Sequence, residues 1–215
     1  MERHTKLLAF IFAVLAIIVS SCKKDITDTE SQVGISKVTN YADITLKGDR
    51  YASIVKGGTF TDPGAEATEK GNPIDVKVSG TVDANTVGVY NLTYSAVNSD
   101  GFTASATRTV AVLPEAEQSG VDISGSYTYV ATGTNKSTIT KIAPGFYSTN
   151  NCWGTTNIPC LFICVDGENI IIPSQLGGYG EIYGSGTITS SGALTYSVNL
   201  PAYGYADIIR KWQKD

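Results

Sequence analysis

Beyond its first 34 residues, apolar side chains in this 215-residue chain recur at every second position in short runs, never at the spacing of about 3.6 that marks a helix. Between Val87 and Ala96, for example, Tyr90, Leu92, Tyr94 and Ala96 alternate with Val89, Asn91, Thr93 and Ser95, which gives one face of a strand the larger apolar groups. Asn98-Ser99-Asp100-Gly101 then predicts a hairpin turn, because Asp-Gly readily takes the left-handed backbone such turns need, and Phe102 to Val112 returns as the partner. The second half repeats the pattern. Gly125 to Val130, Ser137 to Ile142, Leu161 to Val165, Asn169 to Ile172, Gly186 to Thr189 and Ala193 to Val198 all read as strands, with Asp207 to Trp212 closing the series. The fold class is therefore all-β: an N-terminal β-sandwich followed by a small antiparallel β-barrel or curled sheet. A helical bundle is excluded.

The first residues read as an address. Arg3, His4 and Lys6 precede an unbroken apolar run of thirteen residues, Leu7 to Val19. That run is shorter than the ~20 residues of a spanning helix and fits the core of a signal peptide. Ile18-Val19-Ser20-Ser21-Cys22 resembles a bacterial lipobox, which implies cleavage after residue 21 and lipid on Cys22. An ordinary secretory signal beside a cysteine is the other reading. Lys23-Lys24-Asp25 resembles the charged export tag of Bacteroidota surface lipoproteins, so the expected location is the outer membrane, facing the exterior, with the membrane as a partner through the anchor. Residues 22–34 read as a flexible tether. Cleavage would also remove His4, the chain's one histidine, which excludes a Ser-His-Asp triad and histidine-ligated zinc from the mature protein. A net charge of −4 gives no electrostatic footprint for nucleic acid.

A polar seam at Pro114 to Gly120 splits the remainder into modules at 35–114 and 121–215, with 115–120 as the linker. In the first module, Thr59 to Ala65, Val78 to Asp83, Gly88 to Tyr94 and Thr107 to Val112 stand in the order of the bacterial immunoglobulin-like (Ig-like) DUF5011 family, which this module resembles. The resemblance implies a spacer or stalk with no catalytic residues. Asp62-Pro63-Gly64 reads as a turn, and Arg108 as a cation snorkelling over a sheet face. Gly125-Ser126-Tyr127, Ile142 to Tyr147, Gly177 to Gly180 and Arg210-Lys211-Trp212 resemble the DUF5012, or BT_2262-like, domain that follows DUF5011 in Bacteroidota lipoproteins. That resemblance implies an accessory to a SusC/SusD-like nutrient uptake system, which then becomes a candidate partner.

Three cysteines remain after Cys22, namely Cys152, Cys160 and Cys164. In an oxidising compartment Cys152 and Cys160 are the candidate disulfide, leaving Cys164 as a free buried thiol; three free thiols are the alternative. Three thiols without histidine make a poor metal site, and no cofactor is expected. The second module also holds eight of 12 Tyr and both Trp. Trp153, Tyr179, Tyr183, Tyr203 and Tyr205 are the candidate ligand-binding rings, several of them flanked by glycine or proline that leaves a ring face open. For any one of these residues taken singly, core packing and turn chemistry are the favoured account; it is as a set that they point to a binding surface. Asp166, Glu168 and Glu181 are the carboxylates to consider for glycoside hydrolysis, but none has a recognisable catalytic setting, and the chain reads as a non-enzyme. The expected function is capture of a glycan or peptide ligand by the C-terminal domain, presented on an Ig-like stalk. A structural or adhesive envelope protein is the alternative.

Overall fold

A computed structural model describes residues 29, 32, 33 and 36–215. The signal peptide, Cys22 and most of the tether lie outside the described residues. Among those residues no helix is long and apolar enough to cross a membrane. Near the N-terminus, β1 (Gln32–Val33) pairs antiparallel with β2 (Ser36–Lys37). Residues 41–215 form a separate compact unit.

That unit begins with a sandwich of two sheets. One holds β3 (Asp43–Leu46), β5 (Ala65–Glu69) and β6 (Asn72–Ile74); the other runs β4 (Tyr51–Val55), β9 (Thr103–Leu113), β8 (Gly88–Val97), β7 (Lys77–Ser79). The predicted Asn98–Gly101 turn joins β8 to β9, and β4 lies parallel to β9. Small residues (Ala42, Ala67 and Ala96) fill one part of the sandwich, with Ile44, Ile74 and Val76 packed against them.

Arg108 corrects the sequence reading. It does not snorkel over a sheet face; at 1% exposure it is buried, with its donors used on surrounding oxygens. Nε donates to the Asp49 carbonyl at 2.9 Å, Nη1 to the Tyr94 hydroxyl at 2.7 Å and to the Asp62 carboxylate, and Nη2 to the carbonyls of Lys47 and Gly64. A buried charge is tolerated only when paired and hydrogen-bonded, and here both conditions hold. Burial works to raise the Asp62 carboxyl, but hydrogen bonds from Tyr94 and the Gly64 N–H, together with Arg108, outweigh it and hold it below its ordinary value. Burial and the bond to Asp62 push Tyr94 up to about 12.

The second part is an eight-stranded closed barrel of β10 (Gly125–Tyr129), β11 (Lys136–Ala143), β12 (Phe146–Thr149), β13 (Cys160–Ile163), β14 (Asn169–Gly177), β15 (Gly180–Ile188), β16 (Ala193–Leu200) and β17 (Tyr205–Lys214). Each strand pairs antiparallel with the next, and β17 closes on β10 through Tyr127 opposite Lys214 and Tyr129 opposite Trp212. Eight strands enclose a space that side chains can fill. Tyr127, Tyr147, Phe162, Tyr196 and Trp212 fill it here, with Ile170, Ile172 and Ile182 among them. The buried tyrosines keep hydroxyl partners: Tyr127 donates to the Ile123 carbonyl at 2.6 Å and Tyr196 to the Cys152 carbonyl at 2.8 Å. Gly184 and Gly186 let β15 press against β16, since a Cβ at either would sit 2.0–2.1 Å from a β16 carbonyl oxygen.

Strand β13 is apolar on both faces for a structural reason. Phe162 points into the barrel, while Phe146, Ile163 and Val165 pack on Ala111 and Leu113 of β9, with Tyr51 edge-on to Phe146 at 6.2 Å. The Ser53 hydroxyl donates to the Pro144 carbonyl at 2.7 Å across the same junction. The polar seam at 115–120 is held down rather than left as a free linker. Glu117 accepts the Gly145 N–H at 2.9 Å and the Tyr147 hydroxyl at 3.2 Å and pairs with Lys141 at 2.8 Å, and the Gln118 N–H reaches the Val165 carbonyl at 2.8 Å.

Two outcomes follow. Asp62→Asn loses about 3 kcal/mol in urea denaturation at pH 7. Because the Asp62 carboxyl sits below its ordinary value in the folded chain, its contribution is fully present above that ordinary value and is lost as pH falls through the lowered one, so the gap to the parent narrows on acidification; a gap that does not change with pH contradicts the pairing. Sandwich and barrel melt together in one calorimetric transition, and Phe146→Ala, which costs about 3 kcal/mol or more, separates them. Two transitions in the parent chain contradict the shared core.

Candidate functional site

In an up-and-down barrel, alternate connections lie at opposite ends. One end carries the β11–β12 turn and residues 164–168, and the sandwich packs from there along the outer wall of β12 to β14, where Val89 and Asn91 share a cleft with Gln175 and Leu176. The other is a rim formed by residues 130–135, 150–159, 178–179 and 201–204. All five rings nominated from the sequence lie on or next to this rim.

They do not have equal roles. Trp153 is only 8% exposed. The Arg210 guanidinium stacks 3.8 Å over its ring, Tyr205 lies 5.0 Å away, and Arg210 Nη1 donates to the Tyr129 hydroxyl at 3.1 Å. Trp153 therefore plugs the barrel end instead of offering a stacking face. Asn151 fixes the loop that carries it, accepting the N–H groups of Trp153 at 3.1 Å and Gly154 at 2.9 Å and donating to the Gly154 carbonyl at 3.0 Å. Gly154 has a φ of 109°, and a Cβ there would meet the Tyr129 ring at 2.7 Å, so only glycine closes this loop. Neither Asn151 nor Arg210 stood out in the sequence for a role; an Arg two residues before a Trp at the end of the closing strand was the available signal.

Three of the remaining rings are accessible, while Tyr179 is half-buried against the barrel core. Tyr203 is 57% exposed, Tyr205 44% and Tyr183 39%. Tyr179 and Tyr203 face one another at 6.2 Å across two abutting turns, where a Cβ on Gly180 would come within 3.1 Å of Ala202. Tyr203 belongs to the 3-10 turn Pro201–Tyr203, closed by the Gly204 N–H on the Pro201 carbonyl at 3.0 Å. Tyr183 pairs in register with Asn199, whose side chain joins Asp207: the Asp207 N–H donates to Asn199 Oδ1 at 3.0 Å, and Asn199 Nδ2 donates to Asp207 Oδ1 at 3.4 Å. Three accessible rings and a fixed amide–carboxylate pair thus share the β15–β16–β17 side of the rim.

The structure carries Cys152, Cys160 and Cys164 as free, buried thiols and brings the two candidate disulfide partners, Cys152 and Cys160, side by side. The two thiols hydrogen-bond to each other inside the barrel, where they pack as small apolar side chains. Burial, then the contact with Cys152, pushes the Cys160 thiol up. Burial pushes Cys164 up to about 11. Among the described residues no group of His, Cys, Asp and Glu is placed to hold a metal.

The carboxylates are apart. Asp166 accepts the N–H groups of Glu168 at 2.9 Å and Asn169 at 2.7 Å, capping the turn at the sandwich end. Glu181 sits at the rim end and accepts the Ser174 hydroxyl at 2.6 Å. Asp166 and Glu181 therefore cannot flank one glycosidic bond.

Residues 44–112 match the family model described as "Bacterial surface protein, Ig-like domain". The sandwich is Ig-like. A search of curated proteins finds no match. Among solved structures, the chain is similar to the lipoprotein BT2262 from Bacteroides thetaiotaomicron, with 24% identity, 80% of this chain and 98% of that one covered, and a TM-score of 0.40. It also matches a Clostridium perfringens ZmpB structure of an M60 catalytic domain with two CBM51 domains, at 16% identity and a TM-score of 0.32, over 75% of this chain and 15% of that one.

The buried, raised thiols carry a direct consequence. At pH 8 none of Cys152, Cys160 and Cys164 reacts with a disulfide reagent in the folded chain, whereas denaturation exposes all three together. Release of a single thiol on denaturation contradicts the free state.

Proposed function

We propose that this chain is a lipid-anchored protein of the bacterial outer surface that captures a ligand at the barrel rim without catalysing its conversion, as an accessory to a SusC/SusD-like uptake system. The observation that carries the reading is the set of accessible rings, Tyr183, Tyr203 and Tyr205, gathered on the β15–β17 side of the barrel rim. Exposed rings supported by packed neighbours bury large areas on binding at small entropic cost. The lipobox-like stretch ending at Cys22 and the bacterial surface type of the Ig-like domain support anchoring with the rim facing outward. The shared core between sandwich and barrel makes the stalk rigid where the two meet.

Two measurements test this. Native purification of the full chain from its own outer membrane is expected to bring down a transporter barrel and its lid lipoprotein in near-equal amounts; recovery of the chain alone favours the adhesive reading. Trp153 lies 5.0 Å from Tyr205, so ligand at the rim shifts tryptophan emission. Replacing Tyr203 and Tyr205 together by Ala is expected to weaken binding at least tenfold, about 1.4 kcal/mol or more, with the fold intact. Unchanged binding removes the rim from the account.

A further inference from the structure

We propose that the groove where β10 parts from β17 binds a small organic acid, its apolar body between Val130 and Ile209 and its carboxylate on Lys211. This site lies on the outer wall of the barrel and does not depend on the tyrosines of the rim.

The groove follows from the register of the last strand. β10 accompanies β17 only as far as Tyr129 opposite Trp212, and one further bond follows, the Val130 N–H donating to the Lys211 carbonyl at 2.9 Å. Beyond it the chain turns away, with the Thr132 and Gly133 N–H groups on the Tyr129 carbonyl at 3.3 and 2.9 Å. Along an antiparallel strand, successive residues present their N–H and C=O groups to opposite sides. Lys211 and Ile209 therefore face the same way, and beside Ile209 no strand among the described residues lies on that side. The result is a groove of about 470 Å³ lined by Tyr129, Val130, Ala131, Ile209 and Lys211. Small-molecule sites span roughly 300–1,000 Å³, so this one suits a compact ligand.

Three features fix the chemistry of the occupant. Val130 and Ile209 are 56% and 54% exposed, so an apolar body in the groove removes both from water. Lys211 is exposed and, among the described residues, forms no ion pair, which leaves its ammonium for an anion. The Ile209 N–H, unpaired on this side, is a second donor for a carboxylate. Asp207, the acid of β17, does not line the groove; it is tied to Asn199 across the strand's other side. An added peptide strand is a poorer occupant. Next along the edge, β17 shifts register against β16 and Asp207 gives its N–H to Asn199 at 3.0 Å, so the ladder a joining strand needs stops at Ile209.

The test records backbone amide spectra of the full chain in nonionic detergent during titration with phenylacetate, phenylacetamide and phenethylammonium, which are similar in shape and differ in charge. Phenylacetate is expected to shift the Val130, Ile209 and Lys211 signals saturably, and phenylacetamide to bind about tenfold more weakly. Lys211→Gln should lower the phenylacetate affinity about tenfold and leave the phenylacetamide response unchanged, a split that a folding defect would not produce. Ile209→Ser, at an exposed position, should weaken both. Equal binding of acid and amide, or a preference for the ammonium, overturns the assignment of an anion. Shifts confined to Tyr203 and Tyr205 place the acid on the rim and overturn the groove. If none of the three moves Ile209 or Lys211, the groove is not a site, while capture at the rim stands or falls on replacement of Tyr203 and Tyr205.

Discussion

The packing of Phe146, Ile163 and Val165 against Ala111 and Leu113 is the constraint on which the rest of the structure depends. It makes the last residues of β9 buried on both faces, with Arg108 reaching into the sandwich and Ala111 and Leu113 facing the barrel. It explains why β12 and β13 carry apolar side chains on their outer face, where a solitary barrel would expose them. It also decides geometry: with the sandwich along the outer wall of β12 to β14, the accessible rings lie on the β15–β17 side of the rim.

That rim is stabilised from within. Arg210, Trp153 and Tyr129 form a stacked and hydrogen-bonded plug, and Asn151 ties the plug's loop to the wall. Once the plug has absorbed the tryptophan and the arginine, the tyrosines outside it are left with open faces. A filled barrel of this kind has no room for ligand in its interior, so recognition has to occur on its rim and outer wall.

Much of this was legible in the sequence because it follows from period two. Alternation from Val87 to Ala96 and from Ala193 to Val198 marked the strands, and Asp-Gly and Ser-Gly pairs marked the turns, so the all-β class and a meander were readable. What could not be read depends on distant partners. Arg108 looked like a surface cation because Asp62 and Tyr94, 46 and 14 residues away, are invisible to a local pattern. The seam at 115–120 is polar, as linkers are, yet Glu117 is polar because Gly145, Tyr147 and Lys141 await it. Trp153 looked like an available ring until Arg210 and Tyr205 were found on it. The positive φ of Asp207 has no sequence signal, since it belongs to the bulge where β17 shifts register against β16 across from Asn199.

The central claim is that sandwich and barrel form one rigid body that holds the rim at a fixed angle to the stalk. Residual dipolar couplings of backbone amides in the sandwich and in the barrel, measured on one weakly aligned sample, test it most directly. The account predicts a single alignment tensor that fits both sets. Two tensors of different magnitude, with the barrel couplings scaled down by independent motion, would contradict it.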